Sequence, residues 1–167
     1  MSSPPRAKPP FEAVVVQHGA MVLRVTRAVV GVTDADDAWS ETFLAALHAY
    51  PALPDDANVE AWLVTIAHRK AVDVTRARAR HAFPVAEPPE RPARERADGR
   101  DLDLYAAVAA LPDKQRRAVA YHHLAGLPYD EVAVLLGGTA AAARRAAADG
   151  IAALRGTLHP SLPEEHR

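Results

Sequence analysis

The spacing of apolar positions predicts helices along most of this chain. Phe11, Val15, Val22, Val25 and Val29 recur at helical intervals, with Gln17, Arg24 and Arg27 elsewhere on the surface. Gly31 marks the end of that helix. Thr33 or Asp34 is placed to cap a second one, whose first turn carries Asp36 and Asp37, where negative charge complements the helix dipole. Ala35, Trp39, Phe43, Ala46, Leu47 and Tyr50 then line one face. Pro51 and Pro54 each remove an amide donor and clash with the preceding turn, so YPALPDDAN predicts a short shaped loop. A third helix is expected from residue 58 to about residue 80, burying Val59, Trp62, Leu63, Ile66 and Val74 beneath a basic face.

Residues 81–100 interrupt the period. HAFPVAEPPERPARERADGR holds four prolines, four acidic residues and four arginines with little apolar repeat, the composition of a linker. Beyond it the helical pattern returns in residues 102–110, again from Leu111-Pro112 to about residue 125 before Gly126, and again in residues 128–136. Gly137-Gly138 forms a turn and a last helix runs from Thr139 to about residue 158. Ala133 stands four residues before Gly137, a small residue where two helices of a helix-turn-helix must approach, and the turn glycine tolerates a positive φ. No segment alternates as a strand does. The prediction is an all-α chain of two small helical domains, 11–80 and 101–158, joined by a flexible linker over 81–100. The C-terminal domain is a helix-turn-helix, and residues 1–10 and 159–167 are expected as disordered tails.

Composition narrows the chemistry. A hydrophobic share of 49% with only 5% aromatic residues suits helices packed through small side chains. The absence of cysteine removes disulfides, thiol redox sensing and thiolate zinc sites. A net charge of -1 is no basic coat, so a nucleic-acid surface has to be local. It is found in residues 69–80, where five basic residues against one acid give +4. Arg69, Asp73, Arg76 and Arg80 fall on one helical face with Lys70 and Arg78 flanking it, and Asp73 is placed to orient its arginine neighbours. A solvated face is the bland alternative, but the local excess favours phosphate.

No run approaches the roughly 18 uninterrupted apolar residues of a membrane span, and prolines break the first ten residues, so membrane insertion is not expected and a cytoplasmic location is. His18 lies on an apolar face, and His122-His123 have no carboxylate at ligand spacing, so no metal or cofactor is expected. No nucleophile elbow, phosphate loop or carboxylate pair supports an enzyme or a small-molecule substrate.

LPDKQRRAVAYHHLAGLPYDEVAVLLGGT, continuing without a gap to residue 155, resembles the promoter-binding C-terminal domain of extracytoplasmic-function sigma factors. DADDAWSETFLAALHAY followed by VEAWLVTIAHRKAVDVTRARAR resembles the N-terminal domain of the same family. Together the two resemblances cover about residues 11–158, in the family's order. They imply core RNA polymerase and promoter DNA as partners, with an anti-sigma factor as a candidate third. They imply polymerase docking through Asp37, Glu41 and Phe43, although a helix N-terminus alone also accounts for Asp36 and Asp37. Ser40 stands where the family usually has glutamine. The loop at 51–58 matches the segment that holds a flipped base of the -10 element; its residues suit a plain connector equally. DNA contact is implied for His68, Arg69, Lys70, Arg76 and Arg80 on the third helix, and for Thr139, Arg144 and Arg145 on the last. His68 replaces a frequent asparagine. Ala146, Asp149 and Ile151 replace basic residues, and Gly150 lowers helix propensity by about 1 kcal/mol relative to alanine. Two other readings stay open: a helix-turn-helix regulator, and a polymerase-binding protein that has lost promoter specificity.

Overall fold

Pro10 and Gly31 bracket the first helix. Proline, with φ of -60°, leads the chain into α1 (Phe11–Val30), and Gly31 leaves it at φ of 88°, a value that a residue with a Cβ adopts only under strain. The computed structural model describes residues 8–81 and 98–159. Residues 1–7 and 160–167 of the expected tails, and 82–97 of the expected linker, lie outside the described residues.

The N-terminal half consists of α1, α2 (Ala35–Ala49), a 3-10 turn (Tyr50–Ala52) and α3 (Val59–Arg80). Asn58 caps α3 with its side-chain oxygen, which accepts the Ala61 N–H at 3.1 Å. Asp34 occupies the cap position of α2 but does not cap it. Its carboxylate pairs instead with Arg78, whose guanidinium also donates to the Val30 carbonyl at 2.8 Å. The far end of α3 is thereby clipped to the corner between α1 and α2. The Trp39 indole N–H donates to the Gly19 carbonyl at 2.9 Å and closes α2 onto α1. Val14, Val22, Phe43, Ala46, Tyr50, Leu63, Ile66 and Ala67 form the core between the three helices. The expectation of a disordered tail through residue 10 is corrected at its end. Lys8 donates to the carbonyls of Tyr50 and Leu53, and the Tyr50 hydroxyl donates to the Pro9 carbonyl at 2.6 Å.

The C-terminal half holds α4 (Gly99–Ala109), α5 (Asp113–Val119), a π-helical turn (Ala120–Leu124), α6 (Tyr129–Leu136) and α7 (Ala140–Leu158). The helix expected to run from Leu111 to about residue 125 therefore keeps α pitch only to Val119. In the wider turn the Ala125 N–H reaches five residues back to the Ala120 carbonyl, at 3.1 Å. Between α6 and α7, Gly137 has φ of 71° and its N–H returns to the Ala133 carbonyl at 2.9 Å, so the helix-turn-helix has its expected small residue and its expected turn. Ala143, Ala147, Gly150 and Leu154 are the buried stripe of α7.

The two halves share a core. Val25, Val29, Val64 and Ala71 of the first half pack in one cluster with Leu111, Tyr121, Leu127 and Val132 of the second. Tyr121 is 0% exposed, and its hydroxyl lies 2.6 Å from Nδ1 of His68 on α3. Among the described residues α1 alone is long and apolar enough to cross a membrane, but half of it is buried inside the fold, as in a core helix.

Candidate nucleic-acid interface

Helix α3 turns its apolar side toward both halves and leaves Arg69, Arg76 and Arg80 exposed on the other. Two of the cations counted there from sequence are engaged elsewhere. Arg78 holds the α1–α2 corner, and Lys70 lies 3.8 Å from Glu41. The open face thus carries three arginines and Asp73, a net of +2. Among the described residues no ion pair joins Asp73 to an arginine, so the expectation that it orients them finds no support in the side-chain positions.

His68 is only partly exposed and turned toward Tyr121. Burial first, and then the nearby Arg117 charge, hold its pKa below the usual histidine value. Burial keeps the Tyr121 phenol protonated far above its ordinary range, so its hydroxyl and the Nδ1 of neutral His68 share one hydrogen bond whose direction follows the His68 tautomer. In this arrangement the His68 ring is occupied by the other half of the molecule.

On α2 the surface expected to meet a partner divides. Asp36, Asp37 and Glu41 are exposed, and beside them Leu44 is 51% and Leu47 47% exposed. Phe43, expected at the docking surface, is 5% exposed and packs 4.6 Å from Trp39, centroid to centroid, in the core of the first half. The reason is register: Trp39, Phe43, Ala46 and Tyr50 form the inward stripe. Leu47, expected in that stripe, is turned out. The sequence contained the signal, since Phe43 shares its spacing with Trp39 and Tyr50. In the loop that follows, Pro51, Pro54, Asp55 and Asp56 are exposed, and the Ala57 N–H closes a turn onto the Pro54 carbonyl at 3.1 Å.

On α7, Arg144 and Arg145 are exposed. The Thr139 hydroxyl accepts the Ala142 N–H at 3.1 Å, which makes it the cap of this helix. Ala146 and Ile151 pack against the core, so the missing basic residues at those positions are packing residues; Asp149 remains exposed. Gly150 has a role that sequence reading missed. A Cβ there would stand 2.7 Å from the Val119 Cγ2, so the bare Cα is what allows α7 to lie on α5. His18 is buried with Nδ1 3.8 Å from the Glu60 carboxylate. No group of three or more metal-ligating side chains occurs among the described residues.

Residues 14–81 match the family Sigma-70 region 2, and residues 101–154 match Sigma-70, region 4. The sigma factor RpoE of Bartonella quintana, solved in complex with the anti-sigma factor NepR, is similar with a TM-score of 0.73 at 18% identity, over 91% of this chain and 98% of that one. CnrH, solved in complex with the cytosolic domain of CnrY, is similar with a TM-score of 0.63 at 24% identity, over 91% of this chain and 89% of that one. The chain belongs to the sigma-70 family and has the two-region organisation of its extracytoplasmic-function members. It is an RNA polymerase sigma factor, which binds core polymerase and promoter DNA to direct transcription initiation. Members of this family are generally not enzymes.

Proposed function

We propose that α2 carries the polymerase contact while α3 and α7 divide the promoter between them. Asp37 and Glu41 form the charged rim of a patch whose apolar centre is Leu44 and Leu47, the usual anatomy of a protein interface. Arg69, Arg76 and Arg80 take phosphates around the -10 element, and Lys70 joins them when it leaves Glu41. The proline-bounded loop after α2 receives a flipped base, its rigidity lowering the ordering cost. Arg144 and Arg145, on the N-terminal half of α7, meet base edges upstream, while Thr139 shapes that helix end. His68 reaches DNA only after it leaves Tyr121. The chain works in the cytoplasm and has no catalytic chemistry of its own. The similar sigma factor RpoE is solved with an anti-sigma factor, and the similar CnrH with a cytosolic domain of CnrY, which supports a protein inhibitor here too.

The observation that carries this reading is the exposed Arg69, Arg76 and Arg80 series at helical spacing on α3, separate from the acidic-apolar face of α2. The test is reconstitution. Core polymerase supplied with this chain should start transcripts at defined sites of a fragmented genomic library. Reversing charge at Asp37 and Glu41 together should weaken the complex with core polymerase while helicity stays intact. Transcripts with random starts, or an unchanged affinity in the reversed variant, would overturn the assignment.

A further inference from the structure

Arg144 is supported from below by a column of rings. Its guanidinium carbon lies 5.1 Å from the centre of the Tyr129 ring. Tyr129 is itself stacked on His122, with centroids 3.9 Å apart and planes within 16°, and the His123 ring meets His122 edge-on at 4.8 Å. His122 is fixed in turn. Its Nδ1 lies 2.7 Å from the Leu127 carbonyl, and since a carbonyl only accepts, Nδ1 carries the proton. The π-helical turn Ala120–Leu124 is the element that puts both histidines in this place.

We infer that Tyr129, held flat by His122, is a positioning residue that presents Arg144 of α7 for base-edge recognition in the upstream promoter element. The inference rests on the reading of α7 as the helix that meets bases. One face of Tyr129 is filled by His122 at stacking distance, so the cation over the ring has the other. A guanidinium stacks through its face, whereas its five N–H donors point outward in its plane. The fork that matches the O6 and N7 acceptors of guanine therefore stays available while the arginine is stacked. An arginine held in one orientation also loses less rotamer freedom when it binds. Among the described residues Arg145 has no ring contact, which makes it the internal comparison.

The experiment measures binding of the reconstituted holoenzyme to its best promoter and to one with the upstream element scrambled, and takes the ratio of affinities as discrimination. An exposed arginine–tyrosine contact is worth about 0.5 to 1 kcal/mol, so Tyr129→Leu is expected to reduce the ratio about two- to fivefold, with binding to the scrambled promoter unchanged. Tyr129→Phe, which keeps the ring, should stay within about twofold of the parent. In an Arg144→Ala background Tyr129→Leu should add nothing further, because the two residues act as one unit. An unchanged ratio in Tyr129→Leu, or an equal loss with and without Arg144, overturns the inference. Should Tyr129→Leu fail to fold, His122→Ala leaves Tyr129 present but unbacked, and an unchanged ratio there overturns it equally. If Arg144→Ala alone is silent, the reading of α7 falls and this inference with it.

Discussion

Gly150 sits in the body of α7, where glycine disfavours a helix by about 1 kcal/mol relative to alanine. Packing reverses the sign of that comparison. An added Cβ would stand 2.7 Å from Val119 Cγ2 and 3.3 Å from the Gln115 backbone oxygen. Val119 is β-branched and buried, so it cannot swing aside, and overpacking of this kind costs about 1 to 3 kcal/mol. Gly150→Ala is accordingly expected to destabilise the protein by up to about 2 kcal/mol net, read as a lower midpoint in thermal unfolding. A raised midpoint would mean that α7 slides off α5 at little cost. Sequence alone shows such a glycine only as a local defect, because the atom that needs the space lies 31 positions away. Phe43 is the opposite case: its place in the core was readable from its spacing to Trp39 and Tyr50, and only the resemblance drew it to the surface.

At the scale of the helix, α3 holds arginines with two different tasks. Arg78 is tied to the Val30 carbonyl and to Asp34, whereas Arg76 and Arg80 face solvent. Arg78→Ala should cost about 1 kcal/mol in stability, a modest figure because the ion pair is half exposed and screened. It should leave the salt dependence of holoenzyme binding to DNA nearly unchanged. Arg76→Ala should do the reverse, lowering the salt slope by about 0.7 to 0.9 with little effect on unfolding. Filter binding across a salt series, run beside denaturant unfolding, separates the two. Equal slopes for both variants would dissolve the distinction. The sequence count of +4 over residues 69–80 made α3 the dominant electrostatic surface, but with Lys70 and Arg78 engaged its net of +2 equals that of α7, which carries three arginines and Asp149. The helices themselves were legible because a 3.6-residue period is a local property. The partner of Arg78, 44 positions back, is not, and neither is the π-helical turn that ends α5.

For the whole molecule, the proline-rich stretch divides the sequence into two halves, and no local pattern announces that they dock. One polar contact across their shared core, His68 to Tyr121, joins residues 53 positions apart. Its chemistry makes docking depend on pH in one direction. Burial and the Arg117 and Arg69 charges hold the His68 pKa down, with only Asp113 opposing them. When the halves separate or unfold, His68 returns toward its ordinary value of 6.5 and binds a proton that the docked form refuses. Docking is therefore at full strength above about 6.5 and weakens as the pH falls from there toward the depressed value, below which both states are protonated and the change stops. Protonation also leaves Nδ1 able only to donate to the Tyr121 hydroxyl, so the ring can no longer accept from it. A distance between fluorophores placed on α2 and α7 should lengthen as the pH is lowered from neutrality through this window. His68→Gln, which offers a carbonyl oxygen to Tyr121 at every pH, should flatten most of that response. A response of full size in His68→Gln would place the titrating group elsewhere, and a distance that shortens on acidification would contradict the sign derived from burial.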